Sequence, residues 1–266
     1  MKNKDFLNGE KLYGDDFDEN QIKQWFIEEE EAYFELINNS KDYKYNYHAI
    51  NQNLGFKYLP KNRTYNHAIS FGGAYGDEII PIIDKIKNLT IIEASENMIS
   101  EKLMNIIPKY IKPNINGMID VKSNEIDLIT CFGVLHHIPN VSFVIKEFYR
   151  ILNNDGFLLL KEPIVSMGDW NYKRSGLTKN ERGIPKEYFE KIITDTGFKI
   201  IKRNYCANPV ARKLGDFFKI GFNSKIITII DKFLSKLTVN RYKYHPVTFL
   251  EKLQPQAVFY VLQKIK

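Results

Sequence analysis

The sequence predicts an α/β fold: a parallel sheet with helices on both faces. Three observations carry that prediction. From residue 67 onward, short apolar runs alternate with stretches of helical periodicity. Behind the first run, Gly72, Gly73, Ala74 and Gly76 crowd into five residues, a density that lets something approach the backbone closely. The second run ends in an acidic residue, Glu93, 17 positions after Gly76.

Taken in order, residues 20–37 place Ile22, Trp25, Phe26, Ala32, Tyr33, Leu36 and Ile37 at helical spacing, with Glu28–Glu31 as the wet side. Residues 41–63 are aromatic and less periodic, a helix followed by a loop. Strands are then expected at 67–71, 89–93, weakly at 110–115, and at 126–131, 156–161 and 198–204. Helices are expected at 77–87, 96–104, 141–152 and 186–196. Residues 209–250 break the alternation with an apolar and basic helical stretch, and 255–265 read as a final strand. The organisation expected is an N-terminal helical segment (1–66), a core (67–208), a helical insertion lying over the sheet's end as a cap (209–250) and the closing strand (251–266).

At 266 residues with 44% hydrophobic composition, the chain suits a globular protein and not a disordered one. Cys131 and Cys206 lie in or beside apolar segments and read as reduced, buried thiols. No apolar run reaches the 18 or so residues of a membrane span. The charged N-terminus lacks the apolar centre of a signal peptide, so a cytoplasmic protein is expected. The net charge of +6 conceals an asymmetry. Residues 1–40 carry 4 basic and 11 acidic side chains, whereas 197–266 carry 14 basic and 3 acidic. A basic C-terminal third suits nucleic acid, an anionic membrane surface or a phosphorylated substrate, or is a solvated face.

The Gly-rich turn does not match GxGxxG, because Asp77 stands where a glycine is needed and would set a carboxylate beside a diphosphate. It fits a nucleoside without phosphates better. Glu93 is placed to accept both hydroxyls of a ribose, with Ala94 and Met98 suited to packing on adenine.

The segment "NEIDLITCFGVLHHIPNVSFVIKEFYRILNNDGFLLLKEP" (124–163) resembles the core of class I S-adenosylmethionine-dependent methyltransferases. The resemblance rests on Ile126–Asp127, the run Val134-Leu135-His136-His137-Ile138-Pro139, Arg150-Ile151-Leu152 and Asp155-Gly156. "EYFEKIITDTGFKII" (187–201) resembles that family's next helix and strand. The likeness implies a three-layer αβα, doubly wound, mostly parallel seven-stranded sheet of the Rossmann-like methyltransferase kind. It also implies S-adenosyl-L-methionine as donor and S-adenosyl-L-homocysteine as product. Gly72, Gly73, Ala74 and Gly76 would face the methionine part of the donor, Glu93 its ribose, and main chain at Phe132–Gly133 its sulfonium. Two positions depart from the family. Ser70 stands where an acidic residue commonly helps anchor the donor's amino group. Asp120 lies close to Asp127, which leaves Asn116 or main chain at Gly117–Met118 for the adenine amine.

Methyl transfer to an alcohol needs its proton removed, and histidine suits that role. His136, with His137 beside it, follows the fourth strand and is the expected general base. The 24-residue loop 162–185 carries Trp170, Arg174, Asn180 and Arg182 as candidate acceptor contacts, the two arginines suiting a phosphate or carboxylate. "FGGAYGDE", "MGDW" and "LTKNERGIP" also resemble methyltransferases of bacterial surface-polysaccharide gene clusters. That likeness implies O-methylation of a sugar, a nucleotide-linked sugar or a phosphorylated capsule precursor. The alternatives are a quinone or lipid acceptor, RNA, or a degenerate binding module. No NPPY-like motif, Pro-Cys nucleophile or stacking platform favours nucleic acid. No HxxxH, HExxH or CxxC spacing suggests a metal.

Overall fold

A computed structural model describes residues 4–38, 44–169 and 172–265. Seven strands make one sheet: β1 (Tyr65–Phe71), β2 (Ile86–Ile92), β3 (Lys109–Ile111), β4 (Ile126–Phe132), β5 (Leu152–Pro163), β6 (Phe198–Cys206) and β7 (Ala257–Lys264). Their order is β3-β2-β1-β4-β5-β7-β6. All neighbours are parallel except β7, which runs antiparallel between β5 and β6. The order reverses between β1 and β4, and a ligand crevice opens beyond the carboxyl ends of strands at such a reversal.

The central strands are buried on both faces, as in sheets covered by helices on each side. Along β5, side-chain alternation sends Leu158 and Leu160 into one core and Phe157 and Leu159 into the other. The first core packs under α4 (Val141–Ile151) and α5 (Lys186–Asp195) through Val144, Phe148, Phe189 and Ile193. The second packs under α3 (His48–Leu54) and residues 77–85 through Ile50, Leu54, Ile79 and Ile83. This is the three-layer arrangement the sequence predicts. Before it come α1 (Lys4–Leu7) and α2 (Glu19–Asn38), and after β6 come α6 (Pro209–Phe217) and α7 (Lys225–Thr238). The α7 helix lies against α3 and the end of β6. Its Thr228 accepts from Asn53, and its buried Asp231 accepts from the N–H groups of Ala207 and Asn208.

Two local expectations fail for physical reasons. Residues 77–85 wind as a 3-10 helix, not an α-helix, because Pro81 lacks an N–H and disfavours α geometry just before it. No helix forms over 96–104. There Ser95 caps the turn through Asn97 N–H, Ser100 Oγ donates to Tyr75 O, and Met104 takes a left-handed φ of 51°. Such side-chain bonds give the backbone an alternative to the helix. The weak strand shortens to 109–111.

Candidate active site

The donor side is built at the ends of β1, β2 and β3. Gly72 (φ 66°) and Gly76 (φ 82°) occupy backbone conformations that favour glycine. A Cβ on Gly72 would stand 2.5 Å from Val134, and one on Gly73 would fall on the Ser70 hydroxyl. Beneath the turn Ser70 donates to the carboxylate of Glu78, which is buried and within 3.4 Å of Thr130 Oγ1. Burial raises the Glu78 carboxyl to about 7 against the opposing hydrogen bonds of Ser70 and Thr130. A carboxylate is thus set against Ser70 from the following turn.

Glu93 accepts from Ala74 N–H at 2.9 Å and Ser95 N–H at 3.0 Å, tying the first turn to the second. Ala94 is exposed and Met98 buried behind it. Beside them a shallow hollow is lined by Phe71, Ile92, Ile111, Gly117, Met118 and Asp120. Arg150 and Glu147 fix its wall. Arg150 donates to the carbonyls of Ile119 and Val121 at 2.8 Å, and Glu147 accepts from Ile119 N–H at 3.0 Å.

Beyond β4, Phe132 and Gly133 lead into the His136–His137 turn. His136 is buried. Its Nδ1 lies 2.8 Å from Glu162, and its Nε2 lies 3.6 Å from Glu181. Glu162 is itself fixed by the N–H groups of Val134, Leu135 and His136. Burial works against the imidazolium, but Glu162 and Glu181 outweigh it and raise the group to about 9. Both ring nitrogens of His136 thus face carboxylates, which favours its protonated form and gives no support to a resting general base at this position. His137 Nδ1 lies 3.0 Å from Glu29 of α2, and Trp25 Nε1–H donates to His137 O at 2.7 Å. His136, His137 and Glu181 each bring a ligating atom within 4.8 Å of the others, a donor set that could hold a divalent cation. Sequence spacing gives no sign of this convergence.

The arginines expected to clamp an anion are used elsewhere. Arg182 is fully buried and donates to five backbone carbonyls, those of Tyr13, Leu135, His136, Ile138 and Pro139. Its guanidinium also lies 4.9 Å from the Trp25 ring. Arg174 gives its terminal nitrogens to the carbonyls of Met167, Thr178, Lys179 and Glu181. Asn180 donates to Glu28 of α2 at 2.7 Å. A guanidinium with its donors committed to carbonyls fixes a loop and does not bind phosphate. Trp170 lies outside the described residues.

A cation left without an ion pair among the described residues is Lys161, which sequence reasoning passed over. It pairs in register with Phe132 at the end of β5. Its ammonium lies 4.5 Å from the Tyr47 ring and 5.5 Å from that of Phe132. Burial lowers its pKa, and among the described residues it makes no ion pair. Phe56 and Phe259 flank Phe132, and buried polar atoms without a hydrogen-bond partner lie nearby in the sequence at His48 Nδ1 and Asn51 Oδ1.

Comparison with known proteins now decides the family. Residues 43–203, more than half of the chain, match a family model described as "Methyltransferase domain". The chain belongs to the class I S-adenosylmethionine-dependent methyltransferase family. Solved structures agree on the fold of this methyltransferase. An S-adenosylmethionine-dependent methyltransferase from Mesorhizobium loti is 10% identical with a TM-score of 0.53, the match covering 78% of this chain and 94% of that one. One from Archaeoglobus fulgidus is 12% identical with a TM-score of 0.52, covering 78% and 90%. A phosphoethanolamine N-methyltransferase from Haemonchus contortus, solved with phosphomonomethylethanolamine and S-adenosylhomocysteine, is 15% identical with a TM-score of 0.55. There the match covers 82% of this chain and 52% of that one. No curated protein matches the methyltransferase.

The donor of this methyltransferase is S-adenosylmethionine, and the geometry fits it. The turn at 72–76 has no room for a Cβ at Gly72 or Gly73, and Glu93 follows the carboxyl end of β2. The hollow supplies apolar walls with one acid at its rim. That acid is Asp120, set aside at the sequence level for its closeness to Asp127. The two prove to be at opposite ends of the sheet. Asp127 opens β4 and accepts from the N–H groups of Asn66 and His67, while Asp120 lines the hollow. Glu78 was also missed. Its signal was present in the sequence, as a carboxylate eight residues after Ser70, just beyond the glycine turn.

Proposed function

We propose that this methyltransferase transfers the methyl group to an oxygen of an anionic small acceptor held against Phe132 and Lys161. A sugar phosphate, a nucleotide-linked sugar or a phosphorylated polysaccharide precursor fits that chemistry. One observation carries the reading: the half-buried Lys161 ammonium lies over two aromatic rings and, among the described residues, has no carboxylate at ion-pair distance. A half-buried cation held against aromatic rings without a countercharge is suited to receive an anionic ligand. The acceptor's anionic group supplies the missing countercharge, the role that loop arginines would otherwise fill.

S-adenosylmethionine, when bound, supplies an activated methyl group for in-line displacement. The chain's own residues do the rest. The turn at Gly72–Gly76 and Glu93 hold the donor, and Lys161 orients the acceptor. Trp25, Glu29 and Arg182 fasten α2 and the 172–185 loop over the His136–His137 turn, which keeps water out. His48 retains a buried Nδ1 without a partner and interacts electrostatically with Asp77, next to the donor turn. We assign this nitrogen as a candidate to receive the acceptor's proton.

The test is a screen of phosphorylated and nucleotide-linked sugars with labelled donor, repeated with Lys161→Met. Turnover is expected with anionic acceptors, and the variant should raise the acceptor KM at least about tenfold, the cost of one charge-assisted contact, with donor affinity unchanged. An apolar acceptor turned over equally by both proteins would overthrow the reading in favour of a quinone or lipid substrate.

A further inference from the structure

The α7 helix is amphipathic in the wrong direction for a protein surface. Its inward stripe carries Thr228, Asp231 and Ser235, all buried, with Ile227. Its outward stripe, at spacings of three and four, is Ile226, Ile229, Phe233 and Leu237, exposed by 66%, 57%, 62% and 59%. A helix packed on a core normally buries its apolar stripe and wets its polar one. The adjoining α6 repeats the pattern. Its small residues Ala211 and Gly215 are buried, the latter against Ile227 and Gly221, while Phe217 is 79% exposed. Two neighbouring helices therefore both turn large apolar side chains to solvent, a patch of the kind that marks an interaction surface.

Charge selects the occupant. Residues 209–250 hold eight Lys and Arg against Asp216 and Asp231, and Asp231 is buried and bonded to backbone N–H groups. Lys213, Lys219, Lys225 and Lys236 are exposed on the same two helices and the turn between them. A second copy of the chain meeting this face across a two-fold axis would set cations against cations. Nucleic acid would match the charge but leave the aliphatic stripe unused. An anionic bilayer surface satisfies both features, with phenylalanine and isoleucine entering the acyl boundary and lysines meeting the headgroups. No described helix is long and apolar enough to cross a membrane, so the mode is interfacial.

We infer that α6 and α7 form a docking face for an anionic lipid surface, by which the methyltransferase binds membranes peripherally. The test is co-sedimentation of the full chain with phosphatidylcholine vesicles, with and without phosphatidylglycerol, at low and high salt. Binding is expected with phosphatidylglycerol vesicles and should weaken as salt rises. A Phe217→Ser/Phe233→Ser double variant should bind at least about tenfold less, since each phenylalanine contributes apolar burial. Lys225→Glu/Lys236→Glu should lose the preference for phosphatidylglycerol. All four positions are exposed, and donor binding by each variant, read by isothermal titration, verifies that it has folded. Absence of vesicle binding by the folded chain overturns the inference, as does binding indifferent to lipid charge and salt. So does a concentration-dependent dimer abolished by the phenylalanine substitutions, if vesicles remain unbound.

Discussion

The Lys161 ammonium stands 4.5 Å above the Tyr47 ring, joining the end of β5 to the segment that precedes α3. The contact holds a desolvated charge on an aromatic face in place of an ion pair. Replacing such a charge with an apolar side chain of similar length removes a desolvation cost. Lys161→Met should therefore stabilise the apoprotein by about 1 kcal/mol or more, a rise of about 2–4 °C in Tm for a chain of this size, while impairing turnover. A fall in Tm would show that Lys161 is structural.

Glu78 predicts a pH dependence. Its folded pKa of about 7 lies above the ordinary glutamate value of 4.5, so the folded state holds the proton more tightly than the unfolded. The stability this contributes is fully present below the unfolded value and is lost as pH rises through the folded one. The loss is on the order of 3 kcal/mol. Glu78→Gln removes the titration, so wild type should lose stability relative to the variant between about pH 4.5 and about pH 7. Urea denaturation on each side of that window measures it; a wild-type-to-variant difference independent of pH would exclude Glu78 as the group.

Arg182 predicts a purely structural loss. Lysine keeps the charge but cannot reach five carbonyls in a planar fork. Arg182→Lys should cost about 3 kcal/mol and lower Tm by about 6–12 °C, while phosphate added to wild type should produce no stabilisation through this residue. Differential scanning calorimetry with and without phosphate reads both.

Glu93 predicts a donor-binding loss. Glu93→Ala removes the acceptor for the Ala74 and Ser95 N–H groups as well as the proposed ribose contact, and S-adenosylhomocysteine affinity by titration calorimetry should fall at least about tenfold. Glu93→Gln keeps one acceptor oxygen and should lose less. Wild-type affinity in the alanine variant would remove Glu93 from the donor site.

Much of this was legible because local chemistry decides it. Alternating apolar runs gave the strands, since a residue pattern of period two or 3.6 has one way to bury itself. The glycine turn was visible because Gly72 and Gly76 need backbone conformations that other residues resist. The helix at 96–104 failed because Ser95 and Ser100 offered the backbone competing bonds, which no hydrophobic count registers.

What the sequence by itself determined was the alternation of strands and helices along the chain, the fold class and the family. Tertiary structure alone decided which charges are free. Lys161 and Glu162 are adjacent in the chain, yet the pleat sends them to opposite faces. One goes over the Tyr47 ring without an ion pair among the described residues, the other against His136 as its fixed countercharge. Arg182 looked available for an anion until the fold wrapped five carbonyls around it. Whether a charged side chain acts on a substrate or on its own chain depends on what surrounds it in space, and spacing along the sequence carries no measure of that.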